Sequence, residues 1–134
     1  MSGRPAPPAR FTLRARWRSI GYAWRGIRRV VRTQHNAWVH AAASLAVVAA
    51  ALALEVSRLE WCALVVAMLG VWVAEAMNTA FEALCDVASP EFHPEVERAK
   101  DVAAGAVLLA ALGAVAIGLL VFVPHLLARL PHDA

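Results

Sequence analysis

Glu75, Asn78, Glu82 and Asp86 stand at i, i+3, i+7 and i+11, the two glutamates inside an otherwise apolar stretch. At about 100° per residue the four share one narrow stripe of an α-helix. A carboxylate at mid-bilayer depth costs roughly 2.5–3.5 kcal/mol on insertion scales, so two on one face imply a use for them. Such a stripe faces protein or a water-filled site rather than lipid. Seven of the ten acidic residues fall between Glu75 and Asp101, which concentrates the acidic chemistry there. Phosphoryl transfer needs a metal to neutralise phosphates, a cation on the transferred group and a base near the acceptor hydroxyl. Mg²⁺ takes only one or two carboxylates together with phosphate oxygens and waters. Glu82, with help from Asp86, could supply them. Glu75 lies one to two turns deeper, within reach of a lipid hydroxyl, and Lys100 falls at the height of a bound polyphosphate. From spacing alone two other readings stay open. The carboxylates could form an ion or proton pathway in a small carrier, or could be structural, each bonded to a neighbouring subunit. Lys100 with Glu97 and Asp101 also fits an ordinary solvated cluster. His40 reads as a hydrogen-bonded helix contact, His93 as a loop residue, and Trp38, Trp61 and Trp72 as interface anchors or packing.

The elements that must hold this stripe are membrane helices. The chain of 134 residues is 60% hydrophobic and only 17% charged, a membrane composition. Ala37–Leu54 is an uncharged run of eighteen residues, and Ala103–Val123 is one of twenty-one. Between them the stretch from Trp61 is broken only by the stripe itself. A span needs about 20 residues, with a range of about 17–25, so three spans are expected. Nine of the thirteen Lys and Arg precede the first span. The positive-inside rule therefore predicts a cytoplasmic N-terminus, with the acidic stripe ending at the cytoplasmic side. No short apolar segment followed by a small-residue cleavage site marks a signal peptide. Cys62 and Cys85 would lie about 35 Å apart along one helix and cannot pair within the chain.

Leu13, Trp17, Ile20, Trp24, Ile27 and Val31 recur at spacings of four and three, with Arg18, Arg25, Arg28, Arg29 and Arg32 mostly off that stripe. The pattern predicts an amphipathic helix on the inner leaflet, tryptophans in lipid and arginines toward anionic head groups, rather than a nucleic-acid-binding helix. Pro94 suits the first position of a helix, with Glu95 and Glu97 in its first turn. Ala, Gly and Ala again crowd 103–118, a face that lets membrane helices approach closely, and three thin helices make a meagre bundle. A homo-oligomer is expected on packing grounds. The expected organisation is all-α: residues 1–10 disordered, then a single domain, 11–134. Within it fall a surface helix at 11–33, spans at 36–55, 59–85 and 98–127, and a cytoplasmic loop at 86–97. None of the soluble-kinase nucleotide motifs is present: no G-x-x-x-x-G-K-[ST], no G-x-G-x-x-G and no H-R-D.

Glu75-Ala-Met-Asn78-Thr79-Ala80-Phe-Glu82-Ala-Leu-Cys-Asp86 resembles the signature E-x-x-N-T-A-x-E-x-x-x-D of the small prokaryotic diacylglycerol kinases. Ala99-Lys100-Asp101 resembles a second block of that family, and Gly21-Tyr-x-Trp-x-Gly26 its surface helix. The resemblance covers about residues 18–124. It implies a homotrimeric, three-span, bacterial inner-membrane lipid kinase that uses ATP and Mg²⁺, with sites shared between subunits, facing the cytoplasm, and with no nucleic-acid partner. By the same resemblance Glu75 would be the base on the lipid hydroxyl and Asn78 would orient it or the γ-phosphate. Glu82 would bind Mg²⁺, while Glu82, Asp86, Lys100 and Asp101 would contact the nucleotide. Arg32-Thr33-x-x-Asn36-x-x-x-His40, Glu60-Trp61, His93-Pro94 and Ala103-Ala104-Gly105-Ala106-Val107 resemble the Gram-positive branch, whose substrate is undecaprenol rather than diacylglycerol. Where the family usually places a second metal-binding glutamate this chain has Gln34, whose carbonyl oxygen could still bind a metal but brings no charge. The competing class is a non-enzymatic, ion- or proton-conducting membrane protein.

Overall fold

The computed structural model describes residues 12–130. The expected disordered stretch 1–10 lies outside them. Four helices make up the described chain: α1 (Leu13–Thr33), α2 (His35–Ala53), α3 (Arg58–Ala88) and α4 (Pro94–Leu127). The described residues contain no strand. Three of these helices, α2, α3 and α4, are long and apolar enough to cross a bilayer, which makes this an all-α membrane protein with an additional N-terminal helix.

Local chemistry sets each boundary. The hydroxyl of Thr12 accepts from the backbone N–H of Ala15 at 3.3 Å and starts α1. Gln34 adopts an extended conformation (φ −102°, ψ 120°), so one residue separates α1 from α2 and turns the chain out of the surface helix. The α2 C-terminus closes with Glu55 in the left-handed region (φ 54°). The backbone N–H of Val56 donates to Ala51 O, and that of Glu55 to Leu52 O. This satisfies carbonyls that the helix end leaves without partners. The αL conformation costs a non-glycine residue roughly 1–2 kcal/mol, and burial of Val56 against Ala51 offsets it. Ser57 then caps α3 in a reciprocal box: Glu60 accepts from the Ser57 N–H at 2.7 Å while the Ser57 hydroxyl accepts from the Glu60 N–H at 3.4 Å. At α4, His93 is more than the loop residue expected from sequence. Its Nδ1 accepts from the Glu95 N–H at 3.3 Å, so it caps the helix that Pro94 opens.

The helices do not stop where their apolar stretches stop. α3 has 31 residues and α4 has 34. At 1.5 Å per residue these are about 46 and 51 Å, well beyond a hydrocarbon core of about 30 Å. Residues 86–88, placed in the cytoplasmic loop 86–97, are helical; 94–97 fall within that loop range but are helical from Pro94, as its residue type predicts, and only Ser89–His93 connects α3 to α4. Hydropathy locates the membrane boundary, not the end of the backbone hydrogen-bond ladder, which explains the difference.

α3 and α4 form the main helix pair, with α2 packed more lightly on α3 and α1 against the α2 and α3 ends nearest Gln34. At the opposite end a small core of Ala51, Val56, Leu64 and Val121 is closed by a polar clasp. There His125 Nε2 lies 3.0 Å from Glu60 Oε1, and Arg129 Nη2 donates to Ala53 O at 2.9 Å. Most large apolar side chains point outward, Leu109 and Leu120 among them, the inverse of a water-soluble bundle. Part of the small-residue surface of α4 is left open: a Cβ added at Gly105 or Gly113 would meet nothing within 4 Å.

Candidate functional site

The stripe predicted on α3 runs from the interior outward. Glu75 and Asn78 are buried, Glu82 is half-buried and Asp86 is exposed. Asn78 Nδ2 donates to Glu82 Oε1 at 3.0 Å, one turn away. The hydroxyl of Thr79 turns back on its own helix and donates to the Glu75 carbonyl at 2.9 Å. Glu75 is 1% exposed, and neither of its carboxylate oxygens has a hydrogen-bond partner. Asn78 Oδ1 and His40 Nε2 are buried and unpartnered beside it. His40 Nε2 stands 3.7 Å from Glu75 Oε2, the nearest polar approach the carboxylate receives. Burying a polar group without a hydrogen bond costs about 1–3 kcal/mol by mutational measures, and more for a charge. Groups left in that condition mark a place built for something other than stability.

Three clefts share the walls of this stripe. The deepest, about 300 Å³, lies among α2, α3 and α4 and is bordered by Asn36, His40, Glu75, Asn78 and Glu82, with Ala104, Val107, Leu108 and Ala111 opposite. The second, about 650 Å³, lies between α1 and α3, where Gly26, Val30, Thr33 and Gln34 face Thr79, Glu82 and Asp86. The third, about 420 Å³, sits at the α3–α4 connection against Asp86, Phe92, His93, Glu97 and Lys100. Glu82 borders the first two and Asp86 the last two, so the acidic stripe links one cleft at apolar depth to two near the helix ends.

Of the residues singled out in the sequence, Glu75, Asn78, Glu82, Asp86, Gln34 and Lys100 all border this set of clefts. Lys100 Nζ donates to Asp86 Oδ1 at 2.5 Å, pairing across the connection two residues fourteen apart in sequence. Asp101 is exposed and borders none of the three. Among the described residues no three His, Cys, Asp or Glu side chains gather closely enough to hold a metal by themselves. Cys62 and Cys85 are both free thiols.

Sequence reasoning missed the surroundings of Glu75. Asn36 and His40, both on α2, share its cleft. Trp72 presents its ring to His40 in a T-shaped arrangement (centroids 6.3 Å apart, 69° between planes) and donates from Nε1 to Ser44 Oγ at 3.2 Å. The available signal was periodicity: His40 and Ser44 are one turn apart on α2, as Trp72 and Glu75 nearly are on α3. The site thus combines a buried carboxylate, a second carboxylate bonded to an amide, and a lysine at the rim of an open cleft. Together they can take a proton at apolar depth and hold anionic oxygens near the helix ends.

Comparison with known proteins bears on which reaction this serves. The profile of the prokaryotic diacylglycerol kinase family matches residues 21–122. An undecaprenol kinase of Bacillus subtilis (strain 168) is 39% identical over 110 residues, 82% of this chain and 89% of that protein. A diacylglycerol kinase of Synechocystis sp. is 37% identical over 110 residues, 81% of this chain and 63% of that protein. A diacylglycerol kinase of Escherichia coli (strain K12) is 32% identical over 105 residues, 73% of this chain and 80% of that protein.

Proposed function

The chain belongs to the prokaryotic diacylglycerol kinase family and is an ATP-dependent membrane lipid kinase; we propose that its acceptor is a long-chain lipid alcohol, undecaprenol in preference to diacylglycerol. The ion- or proton-conducting alternative has no support, since both the family and the named relatives are kinases. The preference rests on the higher identity to the undecaprenol kinase, 39% against 37% and 32% for the two diacylglycerol kinases; the chemistry rests on the Glu75 carboxylate, buried without a partner in its own chain beside the cleft among α2, α3 and α4.

In this reading the lipid hydroxyl enters from the membrane side and Glu75 takes its proton. The alcohol oxygen forms a bond to the γ-phosphorus as the bond from that phosphorus to the ADP oxygen breaks. Asn78 holds the Glu82 carboxylate and orients the reacting groups. Lys100 offers its charge to the phosphates, and Asp86 and Asp101 contact the nucleotide. Glu82 and Gln34 front one cleft and both offer oxygen, the donor type Mg²⁺ prefers, so this donor set fits the ion. Those two residues would hold it, and bound Mg²⁺ would neutralise phosphate charge. Gln34 supplies one negative charge fewer than a glutamate there.

A homotrimer with sites shared between copies is part of the proposal. Its support is the open space at Gly105 and Gly113 of α4 and the groups around Glu75 that have no partner within the chain. The basic N-terminal segment supports a cytoplasmic N-terminus and site in a bacterial inner membrane. The test is transfer of labelled γ-phosphate from ATP into an organic extract by the purified protein, with undecaprenol and diacylglycerol supplied separately. A higher kcat/KM for undecaprenol is expected. A preference for diacylglycerol would overturn the substrate assignment while leaving the kinase chemistry in place.

A further inference from the structure

Several polar groups around Glu75 are already engaged elsewhere. Asn78 Nδ2 is engaged by Glu82, and the hydroxyl of Thr79 by a backbone carbonyl. Trp72 Nε1 is held by Ser44. Asn78 Oδ1 is an acceptor and cannot serve a carboxylate. Asn36 borders the same cleft from an exposed position, whereas His40 Nε2 is buried, without a partner, and 3.7 Å from Glu75 Oε2.

We propose that His40 is a positioning residue for Glu75, its Nε2–H donating to the carboxylate and aiming it at the acceptor hydroxyl. Resting on the reading of Glu75 as the base, this inference adds a residue of α2 to a reaction otherwise written on α3 and α4. An N–H···O bond spans about 2.7–3.2 Å, so closing the gap requires about 0.5–1 Å of movement. The ring is poised for it. Trp72 meets the imidazole edge to face, and the Trp72–Ser44 hydrogen bond fixes that indole across the α2–α3 interface. His40 is therefore held on one side while its Nε2 stays uncommitted. A neutral imidazole suits the place, because it donates one hydrogen bond without neutralising the carboxylate that must accept the substrate proton. Such a bond forms most strongly to the ionised carboxylate, the form in which Glu75 acts as a base.

The test uses the full-length protein in lipid or detergent with ATP, Mg²⁺ and undecaprenol. His40→Leu should lower kcat about 10- to 100-fold, the worth of a hydrogen bond to a charged group, with KM for ATP unchanged within about two-fold. His40→Gln, whose amide can reach, should recover kcat to within about five-fold of wild type. His40→Asn, whose amide is shorter, should stay as low as His40→Leu. Because His40 acts through Glu75, adding His40→Leu to Glu75→Gln should cost less than about two-fold more. A purely structural role would instead multiply the two losses, and that outcome overturns the proposal. So does equal activity of His40→Gln and His40→Asn, a comparison that holds even if His40→Leu fails to accumulate in the membrane. If Glu75→Gln is inactive and His40→Leu is normal, His40 alone loses its assignment. If Glu75→Gln itself keeps wild-type kcat, the base assignment falls and the positioning role with it.

Discussion

Replacing Glu75 by leucine should stabilise this protein while abolishing its activity. Glu75 is 1% exposed, sits in the middle of α3, and both of its carboxylate oxygens lack partners. Within its own chain nothing offsets the desolvation of this carboxylate, a cost of about 1–3 kcal/mol. Leucine is similar in volume, forms helix well and has no polar atom to bury. For a chain of 134 residues each kcal/mol moves Tm by about 3–5 °C, so a rise of about 3–15 °C is expected. The assay is thermal loss of helical circular dichroism in detergent, at one protein and detergent concentration for both proteins. Glu75→Gln should gain less, since an amide still carries polar atoms into the same place. Both variants should lose at least about 100-fold in kcat, the low end of what a positioned base contributes. A lower Tm for Glu75→Leu would refute the reasoning. It would mean that the carboxylate is satisfied in the assembled protein, and that its burial is structural rather than held in reserve for chemistry.

Three further outcomes are expected. Glu82→Ala should raise the Mg²⁺ needed for half activity several-fold or more; an unchanged Mg²⁺ titration would remove Glu82 from the ligand set. Gln34→Glu adds a carboxylate to the cleft it shares with Glu82 and Asp86. Charged contacts are worth roughly 1 kcal/mol more than neutral ones, so the half-saturating Mg²⁺ should fall about five-fold at fixed ATP, and a curve overlaying wild type would place the metal elsewhere. Trp17 and Trp24 are 73% and 67% exposed on α1, a face that nothing among the described residues covers. Trp17→Ser/Trp24→Ser should therefore raise KM for a long-chain lipid more than for a short, detergent-soluble alcohol, and equal effects on both would make α1 a purely structural helix.

Much of this was legible in the chain because membranes simplify the problem. Uncharged runs of span length and a four-residue polar stripe both depend on local periodicity, and α2, α3, α4 and the Glu75–Asp86 face follow from it. Capping was legible where its rule is local, as at Pro94. Two kinds of feature were not. Helix ends beyond the bilayer depend on caps rather than hydropathy, so the end of the second span at residue 85 falls short of the α3 end at Ala88, although the stripe itself reaches Asp86. Contacts between helices depend on rotation about each axis, which composition does not report. His40 faces Glu75, and Lys100 meets Asp86, only once α2 and α4 are seated on α3.

The clasp at Glu60, His125, Arg129 and Ala53 makes α2 a lever. Its fulcrum is the α2–α3 turn, where the clasp and the small core hold it. Along its length α2 packs more lightly on α3 than α4 does, with the Trp72–Ser44 hydrogen bond and the His40–Trp72 contact between the clasp and Gln34. His40 sits thirteen residues from Ala53, an arm of about 20 Å at 1.5 Å per residue. A tilt of about 2–3° on that arm carries His40 through roughly 0.7–1.0 Å, the travel that separates its present position from a hydrogen bond to Glu75. The distance that matters for chemistry is thus sensitive to the angle at which α2 leaves the far end of the bundle.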